Sequence, residues 1–455
     1  MVEVELIMKN VLVVGGGARE HAICHAISRS KNIKLFSIMK NVNPGIKKIA
    51  FDYYQISETK VPEIVRYAMK KKIDLVFIGP EAPLEAGLTD ALQEKGIAVC
   101  APTKSAARIE TDKEWMRDLL QKYGISGQLA YKTFTLVDEA KTYIEELQGN
   151  VVLKPIGLTG GKGVKVAGDH FTDMNGAIHY INQIFTQQIG GSAKVVIEQK
   201  AEGEEFTVQA FTDGKTIKAF PAVQDHKRLN PGDNGPNTGG MGSYSKENGL
   251  LPFINQQDYD DAVQILYDII HALAEENCPY IGPIYGQFML TAEGPKVIEI
   301  NARFGDPEAM NVLPLLESDI IDLARAMLDQ SLDVKHLEFS KNATVCKYIV
   351  PEGYGYKSVA DKKIYLDVDK IEDAGALLFY ASVNQDGADV KTTTSRSLAI
   401  VGIADSISSA ETICENALRH VQSDHIYMRH DIGTKELIQK RIDHMNKLRG
   451  VKTTI

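Results

Sequence analysis

Four β-prone residues, VLVV at 11–14, run straight into Gly15, Gly16 and Gly17, and a helix-like segment begins at Ala18. Strand, glycine turn and helix start together specify an α/β crossover, because a strand that is apolar at every position must be covered on both faces. Further apolar runs at 35–38, 74–78 and 97–100 alternate with amphipathic stretches, which predicts a parallel sheet over the first 109 residues. Backbone N–H groups at such a glycine turn suit an anion. The dinucleotide fingerprint is nevertheless absent: Glu20 stands at the third glycine position, and no acidic residue ends the strand at 34–39.

A second glycine cluster lies in VVLKPIGLTGGKGVKV, residues 151–166. Apolar runs on both sides predict a hairpin whose tip carries Gly160, Gly161, Lys162 and Gly163. It is not a Walker A loop, since Ile156 stands where the first glycine belongs and Gly163 follows the lysine in place of Ser or Thr. Lys154 on the first arm would aim a cation at the loop, so the hairpin reads as a cover for phosphates.

In GPKVIEINARFGDPE, residues 294–308, Glu299 and Asn301 alternate with apolar residues and share one face of a strand by its two-residue period. Two oxygen donors so placed suit Mg²⁺, which keeps several waters and shares substrate phosphates. Arg303 would join that face if the strand continued. The segment VQDHKRLNPGDNGPNTGGMGSYS, residues 223–245, is rich in Gly, Asn and Asp and carries both charge signs on Asp225, His226, Lys227 and Arg228. It reads as irregular backbone for polar-ligand capture and as unable to fill a core.

The order of these motifs is similar to that of the ATP-grasp ligases, and within them to the phosphoribosylamine–glycine ligases. The resemblance covers GGGAREHA (15–22), GPEAPL (79–84), KPIGLTGGKG (154–163), QDHKR with GPNTGGMGSYS (224–245), VIEINARFGDPE (297–308) and RHDIG (429–433). It implies ligation of glycine to 5-phosphoribosylamine through a glycyl phosphate, with ATP as substrate and Mg²⁺ or Mn²⁺ as cofactor. It further implies Lys113, Lys154, Gly160, Gly161, Lys162 and Gly163 on the triphosphate, and Glu198, Lys200, Ala201 and Glu205 on adenine and ribose. The metal falls to Glu299, Asn301 and Gln287, and charge stabilisation during transfer to Arg303, with Lys154. Gly15, Gly16, Gly17, Glu81, Asp225, Lys227, Arg228, Asn237, Thr238, Gly239 and Gly240 are assigned to phosphoribosylamine and glycine. One departure is Ile156, where the family carries Asp.

The expected architecture is multidomain α/β and α+β: an amino-terminal parallel α/β unit (1–109), an ATP-grasp unit (110–330) with a small lid at 124–193, and a mixed carboxy-terminal unit (331–455). Within these, a helix is expected over 111–123 and short strands at 343–350, 377–383 and 397–402. A net charge of −9 over 455 residues argues against nucleic-acid affinity. Five cysteines without C-x-x-C spacing suggest neither a disulfide framework nor a zinc site. No apolar run reaches membrane-spanning length and the acidic start does not resemble a signal peptide, so a cytoplasmic location is expected; the oligomeric state is not written in the sequence, and a monomer is the default expectation. Two other functions fit parts of the pattern. Another ATP-grasp ligase would keep the metal residues but not the 15–22 and 235–242 strings, and a nucleotide-binding regulator would not need Lys154, Glu299, Asn301 and Arg303 together.

Overall fold

The computed structural model describes residues 9–156, 163–387 and 389–451. Strands Asn10–Val14, Lys34–Met39, Asp52–Gln55, Leu75–Ile78 and Ala98–Cys100 form the expected sheet, every pair parallel, in the spatial order third, second, first, fourth, fifth. The order reverses between the first and fourth strands. Such a switch point leaves a crevice at the carboxyl ends of the strands, where α/β sheets take ligands. Gly15–Gly17 and Gly79–Glu81 both lie there, tied back by Gly15 N donating to Ile38 O (2.8 Å) and Gly79 N to Val14 O (3.0 Å).

The expected helix over 111–123 is interrupted. Arg108–Thr111 ends at Asp112, which is extended and whose carboxylate accepts from Trp115 N (3.0 Å) to start Lys113–Lys122. An aspartate that satisfies a free helical N–H favours a new start over continuation. Glu110, in the turn before the break, is buried.

Residues 131–199 have their own sheet, in the order Tyr131–Phe134, Val195–Gln199, Val151–Pro155, Lys165–Val166. Helices Val137–Glu146 and Met174–Gln187 cover it, and its apolar cluster (Phe134, Ile144, Leu153, Ile181, Ile197) is separate from the rest of the core. The hairpin at 151–166 is therefore present, with Val152 opposite Val166.

A ten-stranded sheet forms the body. Gly294–Asn301 is its edge, followed by Gly282–Thr291, Glu204–Thr212, Val223–Asp225, Gly242–Ser245, Ala343–Pro351, Leu398–Ala404 and Leu377–Tyr380. The carboxy-terminal strands thus continue the sheet of the ATP-grasp unit. Gly242–Ser245 joins them by pairing antiparallel with Ala343–Pro351. Helix Gln256–Glu275 lays Ala262, Ile265, Leu266, Ile269 and Leu273 on the sheet, its start set by reciprocal bonds between Asn255 and Asp258.

Residues 223–245 differ from expectation. They form four short strands, and Gln224, His226, Met241, Ser243, Tyr244 and Ser245 are buried. The polar side chains are accommodated because each finds an internal partner, such as Tyr244 Oη on Gln224 Oε1 (2.8 Å) and Ser245 Oγ with Thr344 Oγ1 (2.7 Å). Likewise, the run at 377–383 divides into Leu377–Tyr380 and the start of Val383–Asp386, which belong to different sheets.

Candidate active site

Glu299 and Asn301 lie side by side as the two-residue period requires, with Asn301 Nδ2 donating to Glu299 Oε1 (3.3 Å). Gln287 sits opposite Glu299 on the neighbouring strand. Its Oε1 accepts from Lys227 Nζ (2.6 Å) and its Nε2 donates to Glu205 Oε2 (2.6 Å). Burial raises the Glu299 carboxyl, but Lys227, Lys154, the bond from Asn301 and Lys113 outweigh it and hold the group below its ordinary range. Glu299 is therefore an anion in a ring of lysines.

Among the described residues no group of three or more His, Cys, Asp or Glu side chains is arranged to hold an ion by protein alone. A carboxylate and an amide on one strand face fit instead a hard divalent cation that shares phosphate oxygens. Of the three expected ligands, Gln287 has its oxygen already engaged by Lys227.

Lys154 takes part in a buried ion triad. Its Nζ lies 2.7 Å from Glu198 Oε2 and donates to Ile298 O (3.0 Å), while Arg117 grips the same carboxylate with Nε and Nη2, each at 2.8 Å. A β-bulge in the edge strand leaves Ile298 opposite no partner residue, which turns its carbonyl to these cations. The Glu198 side chain thus serves as counter-ion to Arg117 and Lys154. Nearby, Lys200 N donates to Asn150 O (2.9 Å) and Lys200 Nζ to Ala167 O (2.7 Å). Gly163 accepts from Tyr180 Oη (2.5 Å), whereas Gly160, Gly161 and Lys162 lie outside the described residues.

Arg303 lies beyond the strand, which ends at Asn301, so it does not continue that face. Three groups hold its guanidinium: Glu81 Oε2 (3.0 Å from Nε), Glu110 Oε1 (3.0 Å from Nη2) and Phe304 O (3.1 Å from Nη1). Arg303 holds Glu81 down to about 2. Burial pushes Glu110 up to about 7, Arg303 opposing and the Glu81 charge reinforcing the rise. Sequence reasoning missed Glu110, which stands among polar neighbours (Arg108, Thr111, Asp112, Lys113) and carries no local signal.

The glycine loop already contains an anion. Glu20, buried, accepts from Gly17 N (2.7 Å) and pairs with Arg19 Nε (2.6 Å). A Cβ on Gly79 would lie 2.0 Å from Glu20 Oε1, and one on Gly15 2.5 Å from Glu20 Cγ, so the glycines make room for this side chain. The helix-start N–H of Gly17 expected to face a ligand is taken by Glu20.

Along residues 223–245 the three successive polar residues His226, Lys227 and Arg228 separate. His226 is buried against Asp233 (3.2 Å), and Arg228 pairs with Asp169 and donates to Gly235 O (2.9 Å). Lys227 alone faces Gln287 and Glu205. Asp225 Oδ1 is buried with no hydrogen-bond partner among the described residues, and burial followed by the Glu308 charge pushes its carboxyl well up. Asn237 pairs with Arg228 across a two-stranded ribbon, and Thr238 Oγ1 donates to Lys227 O (2.8 Å).

Carboxy-terminal arginines clamp this segment, which the sequence did not foretell. Arg396 holds Asp306 (3.0 Å) and the carbonyls of Gly239 and Gly240. Fully buried Arg429 pairs with Asp233 (2.9 Å) and Asp431 (2.6 Å), and Arg441 spans Asp233 and Glu204.

Three family descriptions match the chain: phosphoribosylglycinamide synthetase N domain over residues 9–110, its ATP-grasp (A) domain over 111–309 and its C domain over 344–435. A phosphoribosylamine–glycine ligase of Methanothermobacter thermautotrophicus is 52% identical over 440 residues, 97% of this chain and 100% of the relative. One from Methanocaldococcus jannaschii is 48% identical over 443 residues, 96% and 99% of the two chains. The crystal structure of the Thermotoga maritima phosphoribosylamine–glycine ligase superposes with a TM-score of 0.79 at 24% identity, covering 93% of this chain and 99% of that one. The biotin carboxylase domain of a Hydrogenobacter thermophilus 2-oxoglutarate carboxylase, at 16% identity, gives 0.72 over 98% and 96%.

Proposed function

Since this chain belongs to the phosphoribosylglycinamide synthetase family, we propose that it joins glycine to 5-phosphoribosylamine, using ATP and giving glycinamide ribonucleotide, ADP and phosphate. The observation that carries the assignment is the meeting of four separated motifs: Lys154, Lys227 and Glu299 cluster, and Arg303 beside them reaches Glu81 in the crevice of the amino-terminal sheet.

A carboxylate does not condense with an amine unaided, because it lacks a leaving group. Attack of a glycine carboxylate oxygen on the γ-phosphorus forms a glycyl phosphate and releases ADP. The amine then attacks the carbonyl carbon, loses a proton, and displaces inorganic phosphate. No nucleophilic side chain is required.

Lys113, Lys154 and the 160–163 loop hold the triphosphate, while Glu198, Lys200 and Ala201 line the base and Glu205 the ribose. Glu299 and Asn301, with Gln287 beside them, would hold Mg²⁺ or Mn²⁺, which supplies charge neutralisation on the phosphates when bound. Arg303 stabilises charge as the phosphoryl group moves. The unpartnered Asp225 Oδ1 offers an acceptor to an ammonium group, with Lys227 beside it for a carboxylate. Arg228, Asn237, Thr238, Gly239 and Gly240 shape the surroundings, and the Gly15–Gly17 loop with Glu81 borders the ribose phosphate side, the N–H groups of Gly15 and Gly17 being engaged by Ile38 O and Glu20. The substrates are dissolved small molecules, and no helix among the described residues is long and apolar enough to cross a membrane.

The deciding experiment uses glycine labelled with heavy oxygen in its carboxylate. One labelled oxygen should appear in each phosphate released, and release should require both glycine and phosphoribosylamine. Phosphate carrying only oxygen from water would overturn the acyl-phosphate route.

A further inference from the structure

We propose that Glu110 is the positioning residue that aims Arg303, an assignment resting on the role given to Arg303 above. Arg303 stands two residues past its strand, where no ladder bond orients the backbone. Glu110 supplies that restraint twice. One carboxylate oxygen lies 3.0 Å from Arg303 Nη2 and the other accepts from Ala302 N at 2.7 Å, so a single side chain fixes the guanidinium and the peptide just before it. Planar fork geometry makes such a grip directional as well as attractive.

The two carboxylates on Arg303 are not equivalent. The Glu81 side chain is 30% exposed at the crevice, whereas that of Glu110 is 5% exposed behind the guanidinium. An incoming solute can compete for Glu81 but cannot reach Glu110. Glu110 is thus the permanent anchor and Glu81 the exchangeable one. Keeping a carboxyl so deeply buried is costly unless it is paired, and Arg303 Nη2 and Ala302 N are the partners that offset that cost. Its place follows from Asp112, which breaks the helix and leaves Glu110 on the turn just before Lys113. The same turn therefore fixes Arg303 on one side and begins the helix bearing Lys113 on the other.

The test uses the full-length enzyme with Glu110→Gln, Glu110→Asp, Arg303→Lys and the Glu110→Gln/Arg303→Lys double variant. Gln keeps an oxygen for Ala302 N but presents no charge to Arg303. Its kcat should fall roughly ten- to hundredfold with KM for ATP changed by no more than about twofold, since misaiming a reacting group acts on the transition state. In the Arg303→Lys background the same change should cost less than about threefold, because a residue acting through Arg303 has nothing left to position. Asp, too short to reach both partners, should lie between Gln and wild type, and it serves as the reporter if Gln lowers the melting temperature. Full kcat in both Glu110 variants, losses that multiply in the double variant, or a change confined to KM for ATP would overturn the proposal. Full activity in Arg303→Lys would instead remove the role of Arg303 itself, a result separable from normal activity in Glu110→Gln beside an impaired Arg303→Lys.

Discussion

Replacing Glu198 by Gln should destabilise the protein around the helix Lys113–Lys122, and its effect can be followed through a built-in probe. The Glu198 and Arg117 side chains are each 1% exposed and that of Lys154 is 7% exposed, so the substitution strands two cations away from water. Removing one partner of a buried pair costs about 3–5 kcal/mol. The carbonyls of Val297 and Ile298 still accept from Arg117, and Ile298 also from Lys154. That residual solvation places the expectation near the lower end, about 3 kcal/mol.

Trp115 is the single tryptophan of the chain and lies two residues from Arg117, so its fluorescence reports this helix in a urea titration. The loss should also depend on pH. Burial already lowers Lys154, with Glu198 the leading opposing influence. Without Glu198 the lysine should fall further below the unfolded value of about 10.4. Between those two values the folded chain binds fewer protons than the unfolded chain, so stability rises with pH. The deficit of Glu198→Gln should therefore narrow as the pH approaches the unfolded value. An unshifted Trp115 transition, or a deficit that widens with pH, would refute the counter-ion reasoning.

Glu299→Gln should leave the urea midpoint near wild type while lowering turnover by at least about a hundredfold, because an amide holds a divalent ion poorly; near-normal rates at saturating Mg²⁺ would contradict the metal assignment. Gly16→Asp puts a carboxylate into the glycine loop, with its Cβ 3.0 Å from Asn41 O and 3.1 Å from Met39 Cβ. Titration should show affinity for phosphoribosylamine weakened and affinity for ATP unmoved, and equal loss of both would count against the crevice as the ribose phosphate site. At Gly242 the backbone has φ +148° and an added Cβ would lie 2.2 Å from Cys346 O. Gly242→Ala should thus cost on the order of 3 kcal/mol through strain and overpacking, and a wild-type urea midpoint would show that the strand junction yields easily.

Local patterns were legible wherever neighbouring residues decide the outcome. VLVV followed by three glycines determined a buried parallel strand and a helix start, and the 2-residue period determined that Glu299 and Asn301 share a face. The glycine-bearing hairpin and the family motifs, and with them the ligase assignment, were likewise written in contiguous residues. Polarity along 223–245 misled because a polar side chain can be core when an internal partner satisfies it, and partners are not visible in one dimension.

Tertiary structure alone decided the electrostatic framework. Arg117 meets Glu198 across 81 positions, Arg429 meets Asp233 across 196 and Arg303 meets Glu81 across 222. No local propensity encodes such pairs, since each requires the sheets to bring distant strands to one crevice before the charges can select partners. The same closure filled the amino-terminal glycine loop with Glu20, tied His226 and Arg228 to carboxylates and left Lys227 facing the site. The sequence determined which chemical groups are present and on which strands; folding determined which of them are spent on holding the site and which remain to act.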